Sequence, residues 1–317
     1  MTIAARRYDP AGWRRWDEFV EASNNGHFMH RRAYMDYHAD RFDDCSLLFE
    51  RGRSLLAVLP AHRRGDDLVS HDGLPFAGLL TRQRTHLAAV EEVASALLPF
   101  MASQGLRRLV YRPIPFPYHR APAEEDQWAL ERLGARVIDV KVGSLLPRRD
   151  APPLRKERRR YVRRAQRSGV RIGRSKDFGA FMELLADFLH WRHGATPVHT
   201  REEMELLASR FPEEICLYTA EREGELLGGR ILYRAKRCSR LQYIATSREG
   251  MALGVGDALY AHLLELDVGP WLDLGLSMDP TSGEVNGTLL AYKESIGARA
   301  MLRRTWELSL AGEGPPR

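Results

Sequence analysis

The sequence predicts an α/β protein of the α+β type, built from two tandem units in each of which a mixed, largely antiparallel sheet is flanked by helices. Three observations carry this. The chain has 317 residues, more than one core usually serves, because single cores seldom grow past about 250 residues. Its second half reads helix, helix, three strands, helix, strand, helix, strand. Its first half repeats that order with little residue identity, an architectural duplication and not a sequence repeat. The join falls near LPRRDAPPL, where two prolines and a charge run interrupt periodicity, giving units of residues 1–147 and 148–317.

In the first half, helices fit PAGWRRWDEFVEAS and RRAYMDYHADRF, and strands fit CSLLFER, SLLAVLPAHRR and DLVSHDG. A helix at QRTHLAAVEEVASALLPFMASQ, a strand at RRLVYRP, a helix at AEEDQWALERLG and a strand at ARVIDVKVGSLL follow. In the second half, DFGAFMELLADFLHWR has apolar residues at helical spacing, and TREEMELLASRF opens with a capping box of Thr200 and Glu203. ICLYTAE, LLGGRILYRA and SRLQYIATS are β-type runs separated by charged or glycine-containing turns, which is an antiparallel meander. Then come a glycine turn with a helix over residues 255–267, the strand WLDLGL, a helix over residues 285–297, and a last strand ARAMLRRTWELSL. That strand can complete its own sheet or return to the first unit.

No run of about 18 apolar residues occurs, and the amino terminus is charged where a signal peptide needs its apolar segment. A cytoplasmic protein without membrane insertion is expected. Cys45, Cys216 and Cys238 lie far apart with no CxxC pair, so neither a disulfide framework nor a metal is expected. Net charge is +6, and much of the excess lies in residues 148–174. As a helix this stretch spreads Arg155, Arg159, Arg163 and Arg164 widely and leaves Leu154, Tyr161, Val162 and Ala165 as a thin docking stripe. It reads either as a solvated basic helix or as a surface for phosphates.

MALGVGDALY, residues 251–260, poses a similar choice. Successive backbone N–H groups entering a helix amino terminus make an anion site, since those donors lack intrahelical partners. Gly254 and Gly256 would let a diphosphate approach, with Val255, Asp257 and Arg248 alongside. Plain capping is the alternative, because the Asp257 carboxylate can satisfy the same donors. His71, His119 with Tyr118, and His199 lie in turn-rich segments, where sites tend to lie, and histidine titrates in the range a general base needs. The absence of GxSxG, GxxxxGK[ST] and HExxH motifs disfavours a hydrolase with a covalent intermediate.

The second-half order, with a strand, a GxG turn and a helix at its centre, resembles the GNAT acyltransferase superfamily. Two such units in tandem resemble its FemAB-like branch, whose members transfer acyl or aminoacyl groups to amines. LRKERRRYVRRAQRSGVRI is similar to the basic helix opening that branch's second unit, LDLGLS to a strand ending in aspartate and glycine, and NGTLLAYKESIGAR to the final helix. Met251 departs from the glutamine or arginine that usually opens the cofactor turn, and RPIP stands where an Asp-Pro is often found.

The resemblance implies that Lys293 is the catalytic lysine, its ammonium stabilising an oxyanion and protonating the leaving group. Tyr292 would pack it or donate a hydrogen bond, and Glu307 could orient it. GNAT-like folds admit the acyl group at a splay between the fourth and fifth strands, which Gln242, Tyr243, Asp273 and Ser277 would line. The implied activity is N-acyl transfer from acyl-CoA, bound by the second unit, to a small-molecule, sugar or peptide amine on the side of the first. Aminoacyl-tRNA is the alternative donor, for an amide bond on a peptidoglycan precursor or secondary metabolite. A non-catalytic RNA-binding protein on a degenerate acyltransferase fold is a third reading; DNA is not an expected partner.

Overall fold

The computed structural model describes residues 2–148, 151–279 and 281–310, so Arg149 and Asp150 of the expected join lie outside the described residues. The chain divides into two compact units. One holds the residues up to Lys141 together with those from Leu302 onward, and the other is Val142–Met301.

The elements up to the first crossing are β1 (Ala4–Arg7), α1 (Trp13–Ala22), α2 (Arg32–Met35), β2 (Asp43–Asp44), β3 (Leu47–Arg51), β4 (Ser54–Leu59), β5 (Ala61–Arg64), β6 (Asp67–Ser70), β7 (Leu80–Thr81), α3 (Leu87–Ser103), β8 (Arg108–Tyr111), α4 (Glu125–Arg132) and β9 (Arg136–Pro147). After it come α5 (Lys156–Arg167), β10 (Arg171–Ser175), α6 (Phe178–His193), α7 (Arg201–Arg210), β11 (Ile215–Arg222), β12 (Glu225–Tyr233), β13 (Cys238–Thr246), α8 (Arg248–Leu253), α9 (Val255–Glu265), β14 (Trp271–Leu276), α10 (Gly287–Ser295) and β15 (Arg299–Ser309).

The first unit departs from the expected meander at Pro60. The single strand expected over residues 54–64 is two, because proline has no N–H to give to a ladder. The chain therefore changes sheets there: β4 joins the order β1-β3-β4-β7, and β5 lies between β2 and β6 in the order β15-β8-β6-β5-β2. The helix expected over residues 31–42 is only α2, followed by a 3-10 turn at Asp36–His38. Arg32 fastens that turn by pairing with Asp36 and Asp44. β15 pairs antiparallel with β8, Leu308 opposite Leu109, and Leu308 joins Leu47, Phe49, Leu68 and Leu97 in the first unit's core.

In the second unit the strands run β10-β11-β12-β13-β14-β9. The antiparallel meander β11–β13 forms as the three β-type runs and their turns predict. β14 pairs with β13 in parallel, but only over Cys238↔Trp271, Ser239↔Leu272 and Arg240↔Asp273. The apolar faces of α9 and of these strands supply the core, with Leu232, Leu241, Val255, Leu259, Leu263 and Leu272. α5 lies on α9 by the stripe read from sequence: Leu154 packs against this core and Ala165 is buried. The Thr200–Glu203 capping box is present, with reciprocal bonds of 2.9 and 3.2 Å. No helix among the described residues is long and apolar enough to cross a membrane.

One half-buried acid gives the first unit a pH signature. Asp126 accepts a hydrogen bond from the Tyr111 hydroxyl and one from the Gln127 N–H (2.9 Å), and the Tyr111 oxygen accepts the Leu79 N–H (2.7 Å). Enclosure of its carboxyl pushes the pKa up to about 6, against the lowering by those bonds. A raised folded-state pKa means the folded chain holds the proton more tightly. This contribution to stability is complete below the ordinary carboxyl range and is lost as pH rises through about 6. The melting temperature should therefore fall between about pH 5 and about pH 8, and fall less in Asp126→Asn. Equal pH slopes in the two proteins would contradict the assignment.

Candidate functional site

The glycine turn is a junction between two helices. Ser247 caps α8 directly after β13, its Oγ accepting the Gly250 N–H at 3.0 Å, so the GxG segment does not follow a strand. Gly254 ends α8 and begins α9 in the left-handed conformation, φ 84°. A Cβ there would stand 2.7 Å from the Tyr161 carbonyl oxygen of α5. Gly254 and Val255 are both buried. The turn offered by the sequence as a diphosphate cradle is packed under a helix.

Asp257 does not cap α9, whose first turn has no side-chain cap. Its carboxylate meets Arg158 Nη1 at 3.3 Å, and burial raises its pKa against the pull of Arg158 and Arg230. Arg230 is enclosed beneath the same turn. It donates to the carbonyls of Gly229 (2.8 Å), Ala245 (3.1 Å) and Gly256 (3.4 Å), and burial lowers its pKa to about 10. Arg158 also lies over the Tyr292 ring at 4.8 Å. Tyr292 packs against the core with its hydroxyl pKa raised by burial. Arg248, exposed at the start of α8, stacks over Trp191 at 4.7 Å.

Beyond Arg240↔Asp273, β13 and β14 part. This is the splay between the fourth and fifth strands of the second unit. Asp273 is fully buried; its Oδ2 lies 2.9 Å from Arg240 Nη1, and its Oδ1 accepts the Gly275 N–H at 2.8 Å. Arg240 Nε donates to Gln242 Oε1 at 3.2 Å. Gly275, at φ 74°, sits where the β14–β9 register shifts between Asp273 and Leu276. Beside this irregularity Lys293 Nζ donates to the Gly275 and Leu276 carbonyls, at 3.2 and 2.7 Å. Lys293 is 5% exposed. Burial brings its pKa down to about 8, Asp273 raising it and Arg240 lowering it further. Ser277 is buried at the end of the splay, its Oγ 3.0 Å from Ser144 Oγ.

His199 and Tyr243 meet in the same unit. The imidazole Nδ1 lies 2.6 Å from the Tyr243 hydroxyl, which also accepts the His199 backbone N–H at 3.1 Å.

The other predicted residues have different surroundings. Glu307 lies on β15 with its carboxylate on Arg108 Nη1 at 3.2 Å, while the bonds holding Lys293 come from β14; the acid whose charge raises the lysine is Asp273. His71, Tyr118 and His119 belong to the first unit and are buried, each 3–4% exposed, where their sequence segments read as turn-rich. His71 packs against His38 and His62, and burial with these neighbours lowers its pKa to about 2. Tyr118 stacks on Phe76, and His119 Nε2 lies 2.9 Å from the Ile114 carbonyl oxygen. Arg155, Arg159, Arg163 and Arg164 are exposed on α5, with Arg164 also bonded to the Ala252 carbonyl at 2.9 Å. No described group of His, Cys, Asp or Glu side chains could hold a metal ion.

Sequence reasoning missed Arg158, Arg230 and Arg240. The last two stand inside otherwise apolar strands, GGRILY and CSRLQY, which is a signal for a buried ion pair or site.

The family described as acetyltransferase (GNAT) domain matches residues 153–267. Among curated proteins none matches the chain significantly. Of solved structures, FemX shares the fold at TM-score 0.68 and 12% identity, over 96% of this chain and 97% of that one. L-PGS from Bacillus licheniformis does so at TM-score 0.62 and 13% identity, covering 98% and 95%. So does a conserved protein of unknown function from Bacteroides thetaiotaomicron, at TM-score 0.64 and 9% identity, covering 97% and 100%.

The two glycines of the junction should respond differently to alanine. Gly254→Ala combines a left-handed backbone with a clash on Tyr161, and should lower stability by about 2 kcal/mol or more. Gly256→Ala meets only ordinary contacts, the nearest Arg230 at 3.5 Å, inside a helix where alanine is favoured, and should be neutral or stabilising by up to about 1 kcal/mol. Chemical denaturation of both variants checks this; equal losses would mean Gly256 carries a constraint of its own.

Proposed function

We propose that the chain, whose residues 153–267 match the acetyltransferase (GNAT) domain family and whose fold is shared with FemX, is a FemAB-like acyltransferase that moves an activated aminoacyl group from aminoacyl-tRNA to the amine of a small-molecule, sugar or peptide acceptor by direct attack. The observation that carries this is Lys293. An ammonium has three donors, and two of them are spent on the Gly275 and Leu276 carbonyls. These bonds fix the head of the side chain and leave the third N–H for an oxygen of the acyl group admitted at the splay. That donor would stabilise the oxyanion of the tetrahedral intermediate and, as the intermediate collapses, give its proton to the leaving group.

Two features favour an aminoacyl ester on tRNA. Gly254 is packed against Tyr161 of α5 at the start of α9, which weighs against a diphosphate cradle at that glycine. The exposed arginines of α5 lie over that same helix and suit a polyphosphate backbone. Likeness to FemX and L-PGS agrees with this donor without deciding it. Acyl-CoA is the second reading, favoured by the acetyltransferase description of the family that residues 153–267 match.

Hydroxylamine intercepts an activated acyl group without any cognate acceptor, so hydroxamate formation tests the donor directly. Hydroxamate from aminoacyl-tRNA, and not from acetyl-CoA, is expected; the reverse pattern selects acyl-CoA, and neither donor reacting would sink acyl transfer at this site. Lys293→Ala should slow the reaction on the order of 100-fold or more.

Lys293 also sets a pH limb. The donor is present below the folded-state pKa of about 8, so the wild-type rate should decline as pH rises through that value, while the residual Lys293→Ala rate should not. Stability moves the other way. Holding a buried lysine charged costs the fold about 3 kcal/mol at neutral pH, a cost that fades as pH climbs from about 8 toward the ordinary lysine range. Lys293→Met should therefore be inactive yet melt higher than wild type at neutral pH. A lower melting point would mean its two carbonyl bonds outweigh its desolvation.

A further inference from the structure

We infer that Tyr243 and His199 form the path by which the acceptor amine loses its proton, an inference that rests on the acyl-transfer reading above. An alkyl amine is an ammonium ion at neutral pH and cannot attack an acyl carbon until a base relieves it. Nearby groups are engaged otherwise. Lys293 is the acid of the reaction, Asp273 is held by Arg240 and the Gly275 N–H, and Asp257 is held by Arg158.

The pair is placed for proton exchange. The His199 backbone N–H donates to the Tyr243 oxygen (3.1 Å), and imidazole Nδ1 lies 2.6 Å from the same oxygen. The relay uses the Nε2–H tautomer of the neutral imidazole, in which Nδ1 is the basic nitrogen and accepts the phenol's proton. Both residues are largely out of water, at 5% and 9% exposure. Tyr243 lies on β13 three residues past Arg240, where that strand has already left β14 and borders the splay. His199 precedes the α7 cap Thr200, so a rigid helix start holds the imidazole in place.

The transfer balances as follows. The acceptor ammonium gives one proton to the Tyr243 oxygen while the Tyr243 hydroxyl proton passes to His199 Nδ1, and the positive charge moves from amine to imidazolium. The freed amine attacks the acyl carbon, the bond to the leaving group breaks, and the second nitrogen proton departs with that group through Lys293. His199 returns its proton to water between turnovers. Tyr243 is the catalytic member, and His199 acts through it.

The 317-residue protein is given the donor that yields hydroxamate, with either hydroxylamine, which is uncharged at neutral pH, or methylamine, which is protonated. Wild type should use both. His199→Asn keeps an acceptor for the Tyr243 hydroxyl but no base, and Tyr243→Phe removes the relay. Each variant should lose about 100-fold or more with methylamine and almost nothing with hydroxylamine, whose rate also reports that the variant is folded. Equal losses with both nucleophiles, methylamine transfer rescued in His199→Asn, or a wild type that takes hydroxylamine and no amine would each overturn the relay. A wild type that forms no hydroxamate fails earlier, at the acyl-transfer reading itself.

Discussion

The ion pair of Arg240 with Asp273 is withdrawn from water at the last rung of the β13–β14 ladder, and a buried pair of this kind rarely repays its own desolvation. What it does is organise. With Arg240 neutralising one oxygen and the Gly275 N–H on the other, the Asp273 carboxylate can remain ionised in the core. That charge partly offsets the cost of a buried ammonium at Lys293. The same Gly275 turn that answers Asp273 presents two carbonyls that grip the lysine. Loss of either member of the pair would leave an unpaired charge beneath the site.

Much of the second unit was legible in sequence because its signals are local. The meander shows as β-type runs between turns, α7 announces itself by its capping box, and the docking stripe of α5 follows from Tyr161, Val162 and Ala165 at helical spacing, with Leu154 just before the helix. Lys293 was found through resemblance, and no periodicity would have distinguished it from a surface lysine. Other features were hidden for physical reasons. β10 reads RIGRS, with one apolar side chain, since an edge strand buries little. α8 stands beside what the sequence reads as a glycine turn at Gly254 and Gly256, although Ser247 is a good cap; Gly250 is there because a Cβ would strike the Leu227 carbonyl.

The glycine turn and the histidines show where residue-type reasoning stops. GxG before a helix has two physical uses, close approach of a ligand and close approach of another part of the chain, and both demand the same missing Cβ. Only the neighbours decide, and at Gly254 the neighbour is Tyr161. His71 and His119 lie in turns by sequence, yet the turns fold inward and the rings are buried and uncharged.

The path of β15 bears on how this protein comes off the ribosome. The second unit is one unbroken stretch, Val142–Met301, whereas the first waits for a strand made after it. Until that strand arrives, β8 has an open edge and the core lacks Leu308. Order of synthesis and order of completion are thus reversed: the amino-terminal half is translated first and closed last, and a chain truncated near its end would keep the Lys293 unit while leaving the other with an unpaired, aggregation-prone strand.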